Sequence, residues 1–238
     1  MAGEKILVVD DHKEITDLIK QYLLHEGYQV FTASHALSVF QIVDEEHPDI
    51  ILLDVLLPGL DGIEICKKLR QTTQIPILFI SCRVDDVDKI IALSVGGDDY
   101  ITKPFSPREM VARVKAHLRR NQVISELKNH SLTNTAERPP ALHFNNLVID
   151  AANHSVIANG SNVVLSAREF DILLHLAQNP NRIYSIEQLF ELIWGTDSFG
   201  DTRTVMVHIS NLRKKLAIGA GDTEYISTIR GVGYKFIC

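Results

Sequence analysis

Cysteine is scarce. Cys66, Cys82 and Cys238 are the only three in 238 residues, and no two of them stand at a metal-type spacing. So few thiols exclude a disulfide framework or a zinc-knuckle pattern, and ordinary reduced thiols are expected. Long apolar runs are missing too. None reaches the roughly 20 residues that a bilayer-spanning helix needs, and MAGEKILVVDD has no basic region ahead of an apolar signal core. A cytoplasmic protein with no membrane partner is the expectation. Internal repeats and low-complexity tracts are absent as well.

An excess of positive charge is also lacking. The net charge is -6 and the pI about 5.9, which at first counts against a nucleic-acid partner. The distribution says otherwise. Residues 1–122 carry 14 Lys+Arg against 19 Asp+Glu, and residues 141–238 carry 8 against 9. Within 203–238, Arg203, Arg213, Lys214, Lys215, Arg230 and Lys235 face only Asp222 and Glu224. A local basic patch sits on an acidic chain.

What is present is length enough for two domains and an ordinary globular composition, 45% hydrophobic and 23% charged. Over the first 120 residues, strand-like runs (KILVVDD, YQVFTA, DIILLD, IPILFIS, DDYITK) alternate with helix-period segments near 14–26, 36–46, 61–71, 86–95 and 107–120. Five strand-helix pairs predict a doubly wound α/β domain, a five-stranded parallel sheet with right-handed crossovers. Periodicity then weakens, and LTNTAERPP ends in two prolines that force an extended exit. The domains are therefore drawn at 1–121 and 141–238, with a linker at 122–140. Past the linker the pattern changes to short strands with Asn/Gly turns, three helices and a terminal hairpin.

The segment ILLDVLLPGLDG places Asp54 at the end of an apolar strand. A carboxylate there loses hydration worth several kcal/mol unless something compensates. It could cap the following turn or pair with a lysine. In an open parallel sheet, however, active groups gather at the carboxyl ends of the strands. By that rule Asp10 and Asp11 end the first strand, Asp54 the third, Ser81 the fourth and Lys103 the fifth. Like charges about 4 Å apart repel by roughly 4 kcal/mol at an effective dielectric of 20, so the cluster requires a cation. Hard carboxylate oxygens suit Mg²⁺, and a hydroxyl and an ammonium opposite it suit a phosphoryl group. Asp54 then reads as the nucleophile toward an activated phosphate. Pro104 fixes the backbone beside Lys103, and a cis bond there would point the lysine into the cluster.

VVDDH at 8–12, LLDVLLPGLDG at 52–62, FIS at 79–81 and DDYITKPF at 98–105 resemble the receiver domain of bacterial two-component response regulators. The resemblance implies that a sensor histidine kinase phosphorylates Asp54. It further implies that Asp11, Asp54 and the Leu56 backbone carbonyl ligate Mg²⁺, with Asp10 acting through water. Ser81 and Lys103 would hold the phosphoryl oxygens, and Tyr100 would swing inward with Ser81. A homodimer face is implied in which Lys89 meets Glu109 while Asp98 and Asp99 meet Arg113 and Arg120 across the axis. Ser81 stands where many relatives carry Thr. Cys82 replaces an Ala and is expected to be a small buried thiol, and Gly97, also replacing an Ala, is expected to loosen its segment. Phosphohydrolases that form an aspartyl phosphate commonly place an acid two residues after the nucleophile; Leu56 occupies that position, so no enzyme in the ordinary sense is expected.

In the second half, Ser166–Glu169 and Ser185–Gln188 match the capping box that opens a helix. A third helix beginning near Asp201 or Thr202 puts Val205, Ile209, Leu212 and Leu216 on one face, and Arg203, Thr204, Val207, His208, Ser210, Asn211 and Lys214 are expected to point outward. That polar, basic face suits a DNA major groove, with Arg203 and Arg213 as phosphate contacts. The ending TEYISTIRGVGYKFIC predicts a hairpin that carries Arg230 toward a minor groove. LSAREFDILLHL, DTRTVMVHISNLRKKL and TIRGVGYKF together resemble the winged helix-turn-helix output domain of OmpR/PhoB-type regulators. That resemblance implies base reading by helix 201–216, wing contacts by Thr228, Arg230 and Tyr234, and a loop from Trp194 to Gly200 that could touch RNA polymerase. Relatives often carry Arg where Ser210 and Asn211 stand. The function so expected is phosphorylation-dependent binding to tandem half-sites on double-stranded DNA.

Overall fold

A computed structural model describes residues 3–118, 141–195, 201–217 and 224–237. The linker expected at 122–140 lies outside the described residues. The chain divides into two compact units.

In the first unit, strands β1 (Lys5–Val9), β2 (Gln29–Ala33), β3 (Ile50–Asp54), β4 (Ile77–Ser81) and β5 (Asp99–Thr102) form one parallel sheet in the order β2-β1-β3-β4-β5. Every residue of β3 and β4 is buried, as a sheet covered on both faces demands. Alternate residues serve opposite cores. Leu7, Val9, Ile51, Leu53 and Phe79 pack on helices α2 (Ala36–Glu46), α3 (Gly62–Leu69) and α4 (Asp86–Ser94). Ile6, Val8, Leu52 and Ile80 pack on α1 (Lys13–His25) and on α5, residues 107–118. Each fully buried Val, Leu or Ile contributes about 1.5–3 kcal/mol relative to exposure. The strand order reverses between β1 and β3, which opens a crevice at their carboxyl ends.

Gly97 does not loosen its segment. A Cβ there would lie 2.7 Å from the Phe79 ring and 2.9 Å from the Ala92 carbonyl. The large ring of Phe79 occupies the space a methyl would need, so the missing side chain is a packing requirement.

The second unit opens with an antiparallel sheet of β6 (Leu142–Phe144), β7 (Leu147–Asp150), β8 (Ser155–Ala158) and β9 (Ser161–Asn162). Helices α6 (Ala167–Gln178), α7 (Ile186–Trp194) and α8 (Arg203–Leu216) follow, then a hairpin of β10 (Ile226–Ile229) and β11 (Gly233–Phe236). Both capping boxes form: Ser166 with Glu169, and Ser185 with Gln188. Phe170, Leu173, Leu189, Ile193, Val205, Ile209, Leu212 and Phe236 share one core. Gly233 brings the hairpin against Tyr184, because a Cβ there would fall 1.9 Å from the Tyr184 carbonyl oxygen. The Tyr184 and Tyr234 backbones exchange two hydrogen bonds of 2.9 Å across that contact.

Candidate functional site

Asp10 directly follows β1 and Asp54 is the last residue of β3, so register alone brings their carboxylates to the same edge of the sheet. Both are 4% exposed. Lys103 follows β5, and its peptide bond to Pro104 is cis. Its Nζ donates to Asp10 Oδ2 at 2.6 Å and to Asp54 Oδ2 at 2.5 Å. The other Asp54 oxygen accepts the Leu56 N–H at 3.0 Å. Gly62 makes this corner feasible: a Cβ there would sit 2.0 Å from the Asp54 carbonyl oxygen.

One ammonium therefore serves two buried carboxylates. Burial pushes the Asp54 carboxyl above the ordinary range, more than the bonds from Lys103 and the Leu56 N–H pull it down. Lys103 is also raised, since its two carboxylate partners outweigh the effect of burial. Asp11, a third of its side chain exposed, adds another carboxylate. Its ligand atom and those of Asp10, His12 and Asp54 all lie within 4.8 Å of one another. Three acids against one lysine leave a charge deficit that a divalent cation fits. The donor set, carboxylates with an imidazole at the rim, is one that a metal ion can use.

Ser81 ends β4 with no exposed surface, and its Oγ accepts the Arg83 N–H at 3.2 Å. Tyr100 is turned inward, 8% exposed, and its hydroxyl donates to the Arg83 carbonyl at 2.9 Å. Cys82, in contrast to the buried thiol expected, is exposed. The strand ends at Ser81, so the next side chain leaves the sheet. His12 is a member of the cluster that the reading of VVDDH passed over; its position directly after the two acids was the available signal.

The residues expected on a dimer face divide. Asp98 is not on the surface: it is fully buried, with Oδ2 accepting from Arg70 Nη2 at 2.7 Å and from the Ile77 N–H at 2.9 Å. Asp99 is equally internal. It accepts two bonds from Arg113 Nη1 at 2.9 and 3.0 Å, with His117 Nε2 at 3.8 Å. Burial would raise its pKa, but His117 and Arg113 hold it well below the usual carboxylate range. Arg113 also takes Glu109 as an i,i+4 partner at 2.9 Å. Lys89 stays partly exposed, 3.9 Å from Asp86. Arg120 lies outside the described residues. Sequence reasoning missed Arg70 and His117. The latter stands four residues after Arg113 and so on the same helix face, which is a usable signal.

The face expected for DNA needs similar correction. Arg203, Ser210 and Lys214 are exposed, but Thr204, His208 and Asn211 are buried. Helix α8 packs on both α6 and α7, so its buried stripe is wider than the four apolar positions suggest. His208 has no exposed surface and its ring lies 5.6 Å from that of Trp194. The exposed stripe is instead Arg203, Met206, Ser210 and Lys214, with Val207 beside it. Arg213 is turned to β10: Nε and Nη2 donate to the Ile226 carbonyl at 2.9 and 2.7 Å, and Nη2 to Thr228 Oγ1 at 2.8 Å. Arg230 and Val232 are exposed at the hairpin turn, whereas Tyr234 is buried by its pairing with Tyr184. The expected Trp194–Gly200 loop lies outside the described residues beyond Gly195.

Residues 6–115 match the family model of the response regulator receiver domain, and residues 160–236 match that of the C-terminal domain of transcriptional regulatory proteins. The solved structure of DrrB from Thermotoga maritima, described as an OmpR/PhoB homologue, is 32% identical. That alignment covers 99% of this chain and 100% of DrrB, with a TM-score of 0.50. Two structures of RitR mutants are 28% and 27% identical, with TM-scores of 0.80 and 0.78, and each alignment covers 98% of this chain and 99% of the other.

Proposed function

Because the chain belongs to the OmpR/PhoB-type response regulators, which join a receiver domain to a DNA-binding regulatory domain, we propose that Asp54 is its phosphoacceptor and that phosphorylation promotes DNA binding. The observation that carries this reading is the sharing of Lys103 by Asp10 and Asp54, 2.6 and 2.5 Å away, with all three side chains less than a tenth exposed. Two buried carboxylates with one ammonium favour a further cation, and the ammonium is already in place to meet a phosphoryl oxygen.

Asp10, Asp11, Asp54 and the Leu56 carbonyl would hold Mg²⁺, which supplies positive charge against that gathering on the transferring phosphoryl group. An Asp54 carboxylate oxygen attacks phosphorus as the bond to the donor's leaving group breaks, the donor being a sensor histidine kinase. Lys103 then shifts from carboxylate to phosphoryl oxygen, and Ser81 turns its hydroxyl toward the same group. Tyr100, packed beside Ser81, transmits the change. The receiver serves as a switch, and turnover of exogenous phosphate esters is not part of its role.

On the output side, Arg203, Ser210 and Lys214 form the helix face for the major groove, and Arg230 the wing contact. Thr228 lies at the rim, tied to Arg213. Burial removes Thr204, His208, Asn211 and Tyr234 from the contact set. Receiver pairing through α4, β5 and α5 would join two output domains on tandem half-sites and raise affinity by effective concentration. Exposed Val87, Ile90 and Ile91 on α4 support that face, with Lys89 and Glu109 at its edge; buried Asp98, Asp99 and Arg113 are excluded. A cytoplasmic location accords with the absence, among the described residues, of any helix long and apolar enough to cross a membrane. RNA polymerase is a further candidate partner on DNA. Domain limits of 1–121 and 141–238 complete the reading.

Peptide mapping after incubation with acetyl phosphate tests the acceptor. The phosphoryl mass should appear on Asp54, require Mg²⁺ and vanish with EDTA; a label elsewhere would refute the assignment.

A further inference from the structure

We infer that His12 is a ligand of the cation held by Asp10, Asp11 and Asp54, and that it makes this pocket favour first-row transition ions such as Mn²⁺ over Mg²⁺. The inference rests on the reading of that pocket as a divalent-cation site and adds a donor to it. His12 occupies the N-cap position of α1, where Ser, Thr, Asp or Asn normally accepts a backbone N–H of the first turn. Its side chain makes no such bond. Nδ1 is directed instead to the acids, 3.0 Å from Asp11 Oδ1 and 3.3 Å from Asp10 Oδ1.

Those spacings match a shared ion. Adjacent corners of an octahedron with metal–ligand bonds of about 2.1 Å are about 3.0 Å apart. The His12 N–H, bonded to Asp10 Oδ1 at 2.9 Å, anchors the residue beside its neighbour. The side chain is 66% exposed, so the ring can adjust toward an ion without disturbing the core. Mg²⁺ prefers an all-oxygen shell, whereas imidazole nitrogen is a better ligand for first-row transition ions; Mn²⁺, the weakest binder of that series and the one most at home among carboxylates, is the most stringent case. One nitrogen among carboxylates therefore tilts the selectivity.

The same contacts would suit an imidazolium that does no more than pair with two carboxylates, and the two roles separate in their response to metal. Mn²⁺ binding to the full chain is measured by the loss of the free-ion EPR signal, with Mg²⁺ as competitor, in the wild type, His12→Asn and Asp11→Ala. Asparagine is a good N-cap residue, so α1 is retained. Changing even an outer-shell partner of a metal ligand typically costs about 10–100-fold in affinity. His12→Asn should therefore weaken Mn²⁺ at least about tenfold while Mg²⁺ changes much less, and a histidine ¹⁴N coupling seen in the wild-type pulsed EPR spectrum should vanish. An unchanged Mn²⁺/Mg²⁺ ratio with no nitrogen coupling overturns the inference and leaves an ion pair only. If Asp11→Ala still loses metal in that case, the pocket reading stands alone; if the wild type binds neither ion, both readings fall.

Discussion

Lys103 Nζ lies 2.5 Å from Asp54 Oδ2, in a site where both side chains are less than a tenth exposed. In the proposed function this pair makes an acidic strand end a place for phosphorus, because the lysine needs only to change partners when the carboxylate becomes an acyl phosphate. Removing it should matter more to chemistry than to folding. Lys103→Ala relieves the pocket of an ammonium but leaves Asp10 and Asp54 facing each other, so at neutral pH one of them is expected to take up a proton. Titration of Asp54 followed by NMR should show its pKa rising further above the ordinary range than in the wild type; a fall would contradict the role of the lysine.

Gly62→Ala should injure the same corner from the backbone side. The added Cβ would meet the Asp54 carbonyl at 2.0 Å, and overpacking of this kind costs about 1–3 kcal/mol. A lower melting temperature together with slower acetyl phosphate labelling is expected. Wild-type values for both would show that the turn after β3 does not position Asp54.

The Asp99 site, with His117 and Arg113 around it, should contribute to stability in a pH-dependent way. Asp99 is held below the ordinary aspartate value of 3.8, so the folded state releases the proton more readily than the unfolded chain does. Its contribution is complete above that value and is lost as pH falls through the depressed folded pKa. Breaking a buried pair typically costs about 3–5 kcal/mol. Urea unfolding of Asp99→Asn against wild type should show a deficit of that order at pH 7 that shrinks below pH 3.8. A deficit independent of pH would contradict the linkage.

On α8 the outward and buried residues should behave oppositely. Arg203→Ala and Lys214→Ala are expected to weaken binding across DNA sequences and to lower the salt slope by about one each, with unchanged melting temperatures. His208→Ala should lower the melting temperature through loss of packing on Trp194. Arg213→Ala should also destabilise, by about 1 kcal/mol for each lost bond to β10. DNA titrations over a salt series, paired with thermal melts, separate the groups. A salt slope that moves with His208 and not with Arg203 would invert the assignment.

Much of this is legible in the sequence alone. Buried parallel strands leave continuous apolar runs, so DIILLD and IPILFIS announce both their conformation and the edge at which Asp54 and Ser81 stand. The two capping boxes are written in four residues each and depend on nothing distant. What escaped depends on partners far along the chain. Asp98 and Asp99 look identical in sequence, yet one answers Arg70 at the end of α3 and the other Arg113 on α5, pairings that local periodicity does not encode. His208 and Asn211 are polar and fall off the apolar stripe of α8. They are buried only because α6 and α7 cover two sides of that helix, which a single-helix pattern does not encode. Tyr234 was lost to the wing for the same reason: its partner, Tyr184, is 50 residues away.

The central claim is that a phosphoryl group on Asp54 governs DNA binding. Affinity for an operator recovered by genome-wide mapping, measured at fixed salt with and without acetyl phosphate, tests it most directly in the wild type and Asp54→Ala. The wild type should bind at least about tenfold more tightly once phosphorylated, a difference of about 1.4 kcal/mol, and Asp54→Ala should show no gain. Equal gain in both proteins, or none in the wild type despite stoichiometric labelling, would contradict the account.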